Sequence, residues 1–209
     1  MAISYPLSLP SHTRIRGTSL RAVNAVAVER SPFTFSGQAQ ASAGQMWQAD
    51  IQLPPMKYAD AEQWIAWLVS LRGQFGTFTM GDPMRCIARG TARGTDTVTV
   101  NGGSQTGQDL NITSDQTSET GYLKAGDYIQ LGSGSSATLH KVLIDANTDS
   151  GGNATLTLWP SIRTAPVNGS AVVVQDAVGR WRLATNESEW SVNEASIYGI
   201  SFSAMEAIG

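Results

Sequence analysis

Between Trp47 and Leu53 the apolar residues Trp47, Ala49, Ile51 and Leu53 alternate with Gln48, Asp50 and Gln52, the period of two that marks a strand burying one face. Pro54 and Pro55 then stop the strand, because proline has no amide hydrogen to give to a ladder. Beyond them the period changes. Ala61, Trp64, Ile65, Leu68 and Leu71 recur at helical spacing, which predicts an amphipathic helix with a bulky buried face formed by Trp64, Ile65, Leu68 and Leu71. Asp60, with Gln63 three residues later, has the form of a capping box, and Gly73 supplies the stop. Alternation in twos returns at Tyr198, Ile200 and Phe202, and the Val- and Ala-rich run Ser19–Glu29 predicts a further strand.

The middle of the chain has a different texture. Val98–Val100, Asp127–Leu131, Leu139–Asp145, Ala154–Trp159 and Ala171–Val174 are short strand candidates separated by turn residues, with no helical period between them. Thirteen of the 16 aromatic residues lie outside Gly90–Gln175, whereas 12 of the 21 glycines lie inside it. Large aromatics mark where the main core is, so Trp47, Trp64, Trp67, Trp181 and Trp190 are expected to share one core. The expected fold is therefore mainly β. Residues 1–89 and 176–209 form a split β-sandwich-like domain with one packed α-helix, and residues 90–175 form an inserted small β-barrel or β-sandwich domain. The competing reading is one continuous β domain with a Gly-rich middle.

Composition removes several classes of function. A formal charge of -3, with Lys and Arg scattered singly, lacks the basic stripe that holds phosphates, so DNA is not an expected ligand. Cys86 stands alone and the only histidines are His12 and His140, which excludes an internal disulfide and the common zinc frameworks. No stretch approaches the ~18 apolar residues of a membrane span, and Met1–Pro10 lacks the basic start of a secretion signal. The sequons at Asn111, Asn153, Asn168 and Asn186 are accordingly expected to be incidental.

No chemistry-bearing constellation survives scrutiny. Asp145, Asn147 and Asp149 resemble the start of a calcium loop, yet Ser150 replaces its glycine and Leu156 its bidentate glutamate. A hairpin turn using Gly151 or Gly152 is the expectation. The runs Gly102–Gly107 and Gly132–Ser136 have neither a following Lys-Ser/Thr nor a helix to open, so loop tips are expected and not phosphate cradles. His140, beside Leu139 in a predicted strand, is expected at the surface, and Cys86 is expected in the core. No catalytic residue, cofactor site or metal site is assigned. Glycan binding is the competing activity, and Tyr122, Tyr128 and Trp159 are the aromatics available for stacking a sugar.

Trp47-Gln-Ala-Asp-Ile-Gln-Leu-Pro-Pro-Met56, Ala61-Glu-Gln-Trp-Ile-Ala-Trp-Leu68, Ser70-Leu-Arg-Gly-Gln74 and Met80-Gly-Asp-Pro83 resemble the N-terminal half of distal tail and minor tail proteins of siphophages and related prophages. Ala125-Gly-Asp-Tyr-Ile-Gln-Leu-Gly132, Leu139-His-Lys-Val-Leu143, Gly152-Asn-Ala-Thr-Leu-Thr-Leu158 with Pro160 and Arg163, and Arg180-Trp-Arg-Leu183 are similar to the same group. The resemblance implies a β-sandwich-like core with a helix, often with an extra outer β domain. It further implies a homo-oligomeric, hexameric ring at the virion tail tip, made in the host bacterial cytoplasm, joining the tail tube protein to the baseplate hub and other tail-tip proteins. DNA would pass through such a ring as cargo, and an acidic channel would keep it from sticking. A receptor- or carbohydrate-binding tail module and another minor tail or tube-like subunit are the alternatives within that setting. Ring closure needs two different matching surfaces on each copy, and Ile51–Tyr58 and Ile197–Ala204 are the first strands expected to lend their edges to a neighbour.

Overall fold

The computed structural model describes residues 3–11 and 15–209, so His12 lies outside the described residues. Among the described residues the fold is mainly β, with 44% strand, 8% helix and a single α-helix. Two sheets account for it. The first contains β1 (Gly17–Arg30), β2 (Gly37–Gln52), β3 (Met56–Lys57), β4 (Phe78–Met80), β11 (Gly179–Leu183), β12 (Trp190–Val192) and β13 (Ile197–Glu206). Its path runs β1-β2-β13-β11-β4, with β3 and β12 both paired to the early half of β13. The helix α1 (Tyr58–Ser70) packs on it.

The second sheet contains β5 (Val98–Val100), β6 (Gly107–Ser114), β7 (Tyr128–Leu131), β8 (Thr138–Val142), β9 (Asn153–Ile162) and β10 (Val172–Val173), in the order β10-β7-β8-β9-β6-β5. A bridge between Thr99 and Ala171, with Val100 N–H donating to Ser170 O at 2.9 Å, brings its two ends together into a nearly closed barrel. Leu110, Ile112, Ile129, Leu131, Val142, Leu156 and Leu158 fill the interior. The strand β6 is absent from the sequence expectation. Asp109, Asn111 and Thr113 alternate with the buried Leu110, Ile112 and Ser114, but only two of those three are apolar, which leaves the period short.

The predicted strand at Trp47–Leu53 is the inner end of β2, which stops at Gln52, and Trp47, Ala49, Ile51 and Leu53 are all buried in the core cluster that also holds the inner face of α1. All four helix residues assigned to packing, Trp64, Ile65, Leu68 and Leu71, are buried, with Leu71 just beyond the last turn. The helix starts earlier than expected. Lys57, extended and without a side-chain cap, precedes it, and Asp60 lies inside the first turn. Pairing of Met56 and Lys57 with Tyr198 and Ile197 fixes the entry of the chain, so strand registration replaces the capping box that Asp60 and Gln63 suggested. At the other end Arg72 and Gly73 both take positive φ, which turns the chain out of the helix as Gly73 predicted. Trp190 departs from expectation: it is 41% exposed, because β12 pairs only with the outer part of β13.

The strand Ile197–Ala204 is not an edge. Ser201–Met205 pair with β2 on one side and Ala204–Glu206 with β11 on the other, while Ile197–Ile200 are taken by β3 and β12. Ile51 and Gln52 are likewise paired on both sides. The Ile197–Ala204 strand and the Ile51–Gln52 end of the other segment expected to extend a neighbour's sheet therefore have their ladders filled from within the chain, whereas Met56 and Lys57 pair on one side only. On the far edge, Leu7 bridges Phe78 and covers β4. Among the described residues of this sheet β1, β3 and β12 pair on one side only, and β1 is by far the longest of the three.

Candidate functional site

The strands β1 and β2 pair from Gly17↔Gln52 to Arg30↔Gly37, and only their inner halves lie on the protein body. Past a register shift between Asn24 and Val26 they continue as a bare two-stranded arm. From Asn24 to Arg30 this projects roughly 20 Å at ~3.4 Å per residue. The pattern along it is still two-fold. Leu20, Trp47 and Ala49 occupy the face turned to the core, and further out the paired positions Val26↔Ala41 and Val28↔Ala39 continue that row, with Val26 51% and Val28 68% exposed. Gln38, Gln40 and Ser42 occupy the alternate positions. At the tip, Ser31 N–H donates to Ser36 O and Phe35 N–H to Ser31 O, while Phe33 and Phe35 are 91% and 73% exposed. A two-stranded ribbon is marginal in water by itself, and a strand edge lined by apolar residues invites a partner. The Gln-Ala alternation of Gly37–Ala43 carried the signal for this arm, but alanine is too weak an apolar marker to have been counted.

The base of the arm is held by the barrel. Trp47 packs edge-on against Trp159, with ring centroids 4.5 Å apart, and its indole N–H donates to Leu139 O at 2.9 Å. Trp159 in turn donates to Asn24 Oδ1 at 2.8 Å, and Ser161 N–H donates to Gln45 Oε1 at 2.7 Å. Glu206, buried at the end of β13, accepts from Trp47 N–H at 3.1 Å and from Arg163 Nη1 at 2.8 Å; Arg163 Nη2 also donates to Gln45 O. One seam thus joins β1, β2, β8, β9 and β13, so the arm and the barrel are positioned together.

The same seam explains the fate of the aromatics considered for glycan stacking. Tyr122 is fully buried in the barrel, with Ser114 donating to its hydroxyl oxygen. Tyr128 and Trp159 are buried against Trp47. Burial pushes both tyrosine hydroxyls up to about 12. None of the three offers a face to a sugar, which corrects that expectation: a barrel that docks on a second body spends its large side chains on its own cores.

His140 is a second correction. It is buried, because its register partner Ile129 faces the barrel interior, and its ring sits between Pro160 O at 2.7 Å and Thr138 Oγ1 at 3.0 Å. Burial holds its pKa below the ordinary histidine value. Leu139, on the other face, is buried too, against the first sheet, so a strand covered on both sides does not show the expected polar-out alternation. Cys86 is exposed and not in the core, in the linker that enters the barrel, and partial burial with Asp176 nearby raises its pKa.

The expected hairpin turn is confined to Asp149–Gly152, where Gly152 N–H donates to Asp149 O at 3.0 Å, while Ala146 upstream forms a bridge with Leu123. Asp149 Oδ1 accepts from Gly151 N–H and Asn153 N–H, both at 2.8 Å, which lowers its pKa, and Gly152 supplies the positive φ. Beside it, Asn101, Asn111, Asn147, Asn153 and Thr155 line an open polar concavity of about 580 Å³. Its side chains are tied across the sheet, Thr155 to Asn111 at 2.7 Å and Thr113 to Asn153 at 2.8 Å. Among the described residues no group of three or more His, Cys, Asp and Glu side chains is placed to hold a metal ion, and no helix is long and apolar enough to cross a membrane. No protein-family model matches the chain, and no curated protein matches it.

Proposed function

We propose that this chain is a structural subunit of a bacteriophage tail tip, a distal-tail-type protein whose copies close into a six-membered ring between the tail tube and the baseplate hub. The observation that carries the reading is the projecting arm. Its apolar row and tip are uncovered in the single chain, and covering them with a second copy removes apolar surface from water at the ~25 cal/mol per Å² of ordinary burial. The seam at its base supports the same reading, since an arm anchored on two bodies presents its contact surface at a fixed angle, as a ring of defined size requires. The likeness of the Trp47–Met56 and Ala61–Leu68 segments to phage distal tail proteins gives the ring its place in the virion. DNA passes through as cargo. The glycan-binding alternative loses its motivation with the burial of Tyr122, Tyr128 and Trp159.

Native mass spectrometry and negative-stain electron microscopy of the purified full chain test this reading. A closed assembly with a central hole is the expected result. Monomers at every concentration, together with absence of the polypeptide from purified phage particles, would overturn it.

A further inference from the structure

Besides the polar concavity, the protein has a groove of about 550 Å³ where the barrel meets the end of the first sheet. Its lining is mixed: Arg163, Arg180 and Glu206 stand beside Pro166, Val167 and Ile208, of which Val167 is 76% and Ile208 47% exposed, and the apolar part is the larger. The arm tip carries Phe33 and Phe35, 91% and 73% exposed. We propose that the tip of one copy, Phe33 with Phe35, seats in this groove on the next copy. The proposal rests on the ring reading and names its contact.

Three considerations select this pairing. The first is polarity. In the Asn-lined concavity a phenyl ring would strip water from carboxamides without replacing their hydrogen bonds, a net cost, whereas the groove offers uncovered methyl and proline surface. Size is the second: the groove of about 550 Å³, like the polar concavity, falls within the roughly 300–1,000 Å³ of ligand clefts, so volume permits the pairing and polarity decides between the two. Third, reach excludes the chain's own tip. Arg163 lines the groove and also donates to Gln45 O at the arm's base, and the ladder carries Phe33 roughly 20 Å away from there. Beyond the register shift at Asn24/Val26 the ladder runs from Val26 to Arg30 without a further break, which keeps the tip away from its own base. Each copy therefore offers one tip and one groove, two different surfaces, which is the heterologous arrangement that closes by rotation. An aromatic anchor in a pocket is also the usual form of an energetically dominant contact.

The test uses the full chain in a Cys86→Ser background. Phe33→Cys and Val167→Cys chains, prepared separately, are mixed and treated with a short bis-maleimide. A covalent dimer that forms in the mixture and in neither chain alone is the expected result, and the double variant is expected to give a ladder of multimers. Because Phe33, Phe35 and Val167 are exposed, Phe33→Ser/Phe35→Ser and Val167→Asp should keep the wild-type circular dichroism spectrum while weakening assembly by about 30-fold or more, the scale of a hot-spot loss. Intact assemblies without the mixed cross-link, or with both tip residues replaced, would overturn the tip-in-groove contact and leave the ring reading standing. A faster-migrating internally linked monomer in the double variant would overturn it too. A wild-type chain that never assembles would overturn both.

Discussion

Asp127 is buried where the linker from the first sheet enters the barrel, and its carboxylate accepts three main-chain hydrogen bonds. Arg89 N–H donates to Oδ1 at 2.7 Å, and Gly90 N–H and Lys124 N–H donate to Oδ2 at 3.2 and 2.8 Å. Asp127→Ala would orphan all three donors. Gly90 is buried and cannot recruit water, so its amide carries a full desolvation cost of ~2 kcal/mol, and the two partly buried donors add ~1 kcal/mol each. The expected loss is therefore about 3–4 kcal/mol, a large fraction of the 5–15 kcal/mol that holds a typical domain. Asp127→Asn keeps one carbonyl oxygen but turns an N–H₂ toward amide hydrogens, and is expected to cost about 2 kcal/mol. Urea unfolding followed by tryptophan fluorescence measures the loss. Trypsin cleavage at Arg89 and Arg93 measures opening of the joint and should accelerate in the same order. A loss under ~1 kcal/mol for Asp127→Ala, with unchanged cleavage, would refute the claim that this carboxylate pins the linker.

Two further predictions concern the seam and the barrel interior. Glu206→Ala leaves Arg163 and the Trp47 amide without their acceptor and is expected to cost about 2–3 kcal/mol, below the ~3–5 kcal/mol of a fully buried pair because the Arg163 side chain remains 29% exposed. A double-mutant cycle with Arg163→Met should recover part of that loss as coupling energy. Burial depresses the folded-state pKa of His140, so the unfolded chain takes up its proton first. Stability from this group is complete above its unfolded pKa of ~6.5 and declines as pH falls below that value toward the folded pKa. Urea midpoints measured from about pH 7.5 down to pH 5 should show the decline, and His140→Gln should flatten it.

What could be seen in the amino-acid order depended on how many neighbours each element has. Trp47–Leu53 and the Trp64–Leu71 face were legible because each has one wet side and one dry side, so that the period appears directly in the residue types. The strand β8 was legible as a strand but not in its facing, since Leu139 is covered by the first sheet and His140 by the barrel interior. Tyr128 and Trp159 were misjudged for the same reason: docking of one body on another leaves no local trace in either segment. The helix start was misplaced by three residues because the pairing of Met56 with Tyr198, far away in sequence, outweighs a cap at Asp60. The arm was missed beyond Ser19–Glu29 because its partner strand uses alanine and glutamine, whose contrast in hydrophobicity is small. Its apolar row faces no part of its own chain, and a surface completed only by another molecule has no intramolecular period to complete.

The barrel enters through Arg89–Gly90 and leaves at Gln175–Asp176, where Asp176 N–H donates to Cys86 O at 2.7 Å. Two adjacent tethers of this kind would let one passenger module be exchanged for another between them without lengthening any ladder of the first sheet. Trp47 restricts that freedom. Its ring lies edge-on to Trp159 and its indole N–H points at a passenger carbonyl, so any replacement cargo must arrive with a flat apolar wall and an acceptor in the same place. A graft lacking them would leave the largest side chain of β2 wetted at the root of the arm and would loosen the angle at which the arm is offered.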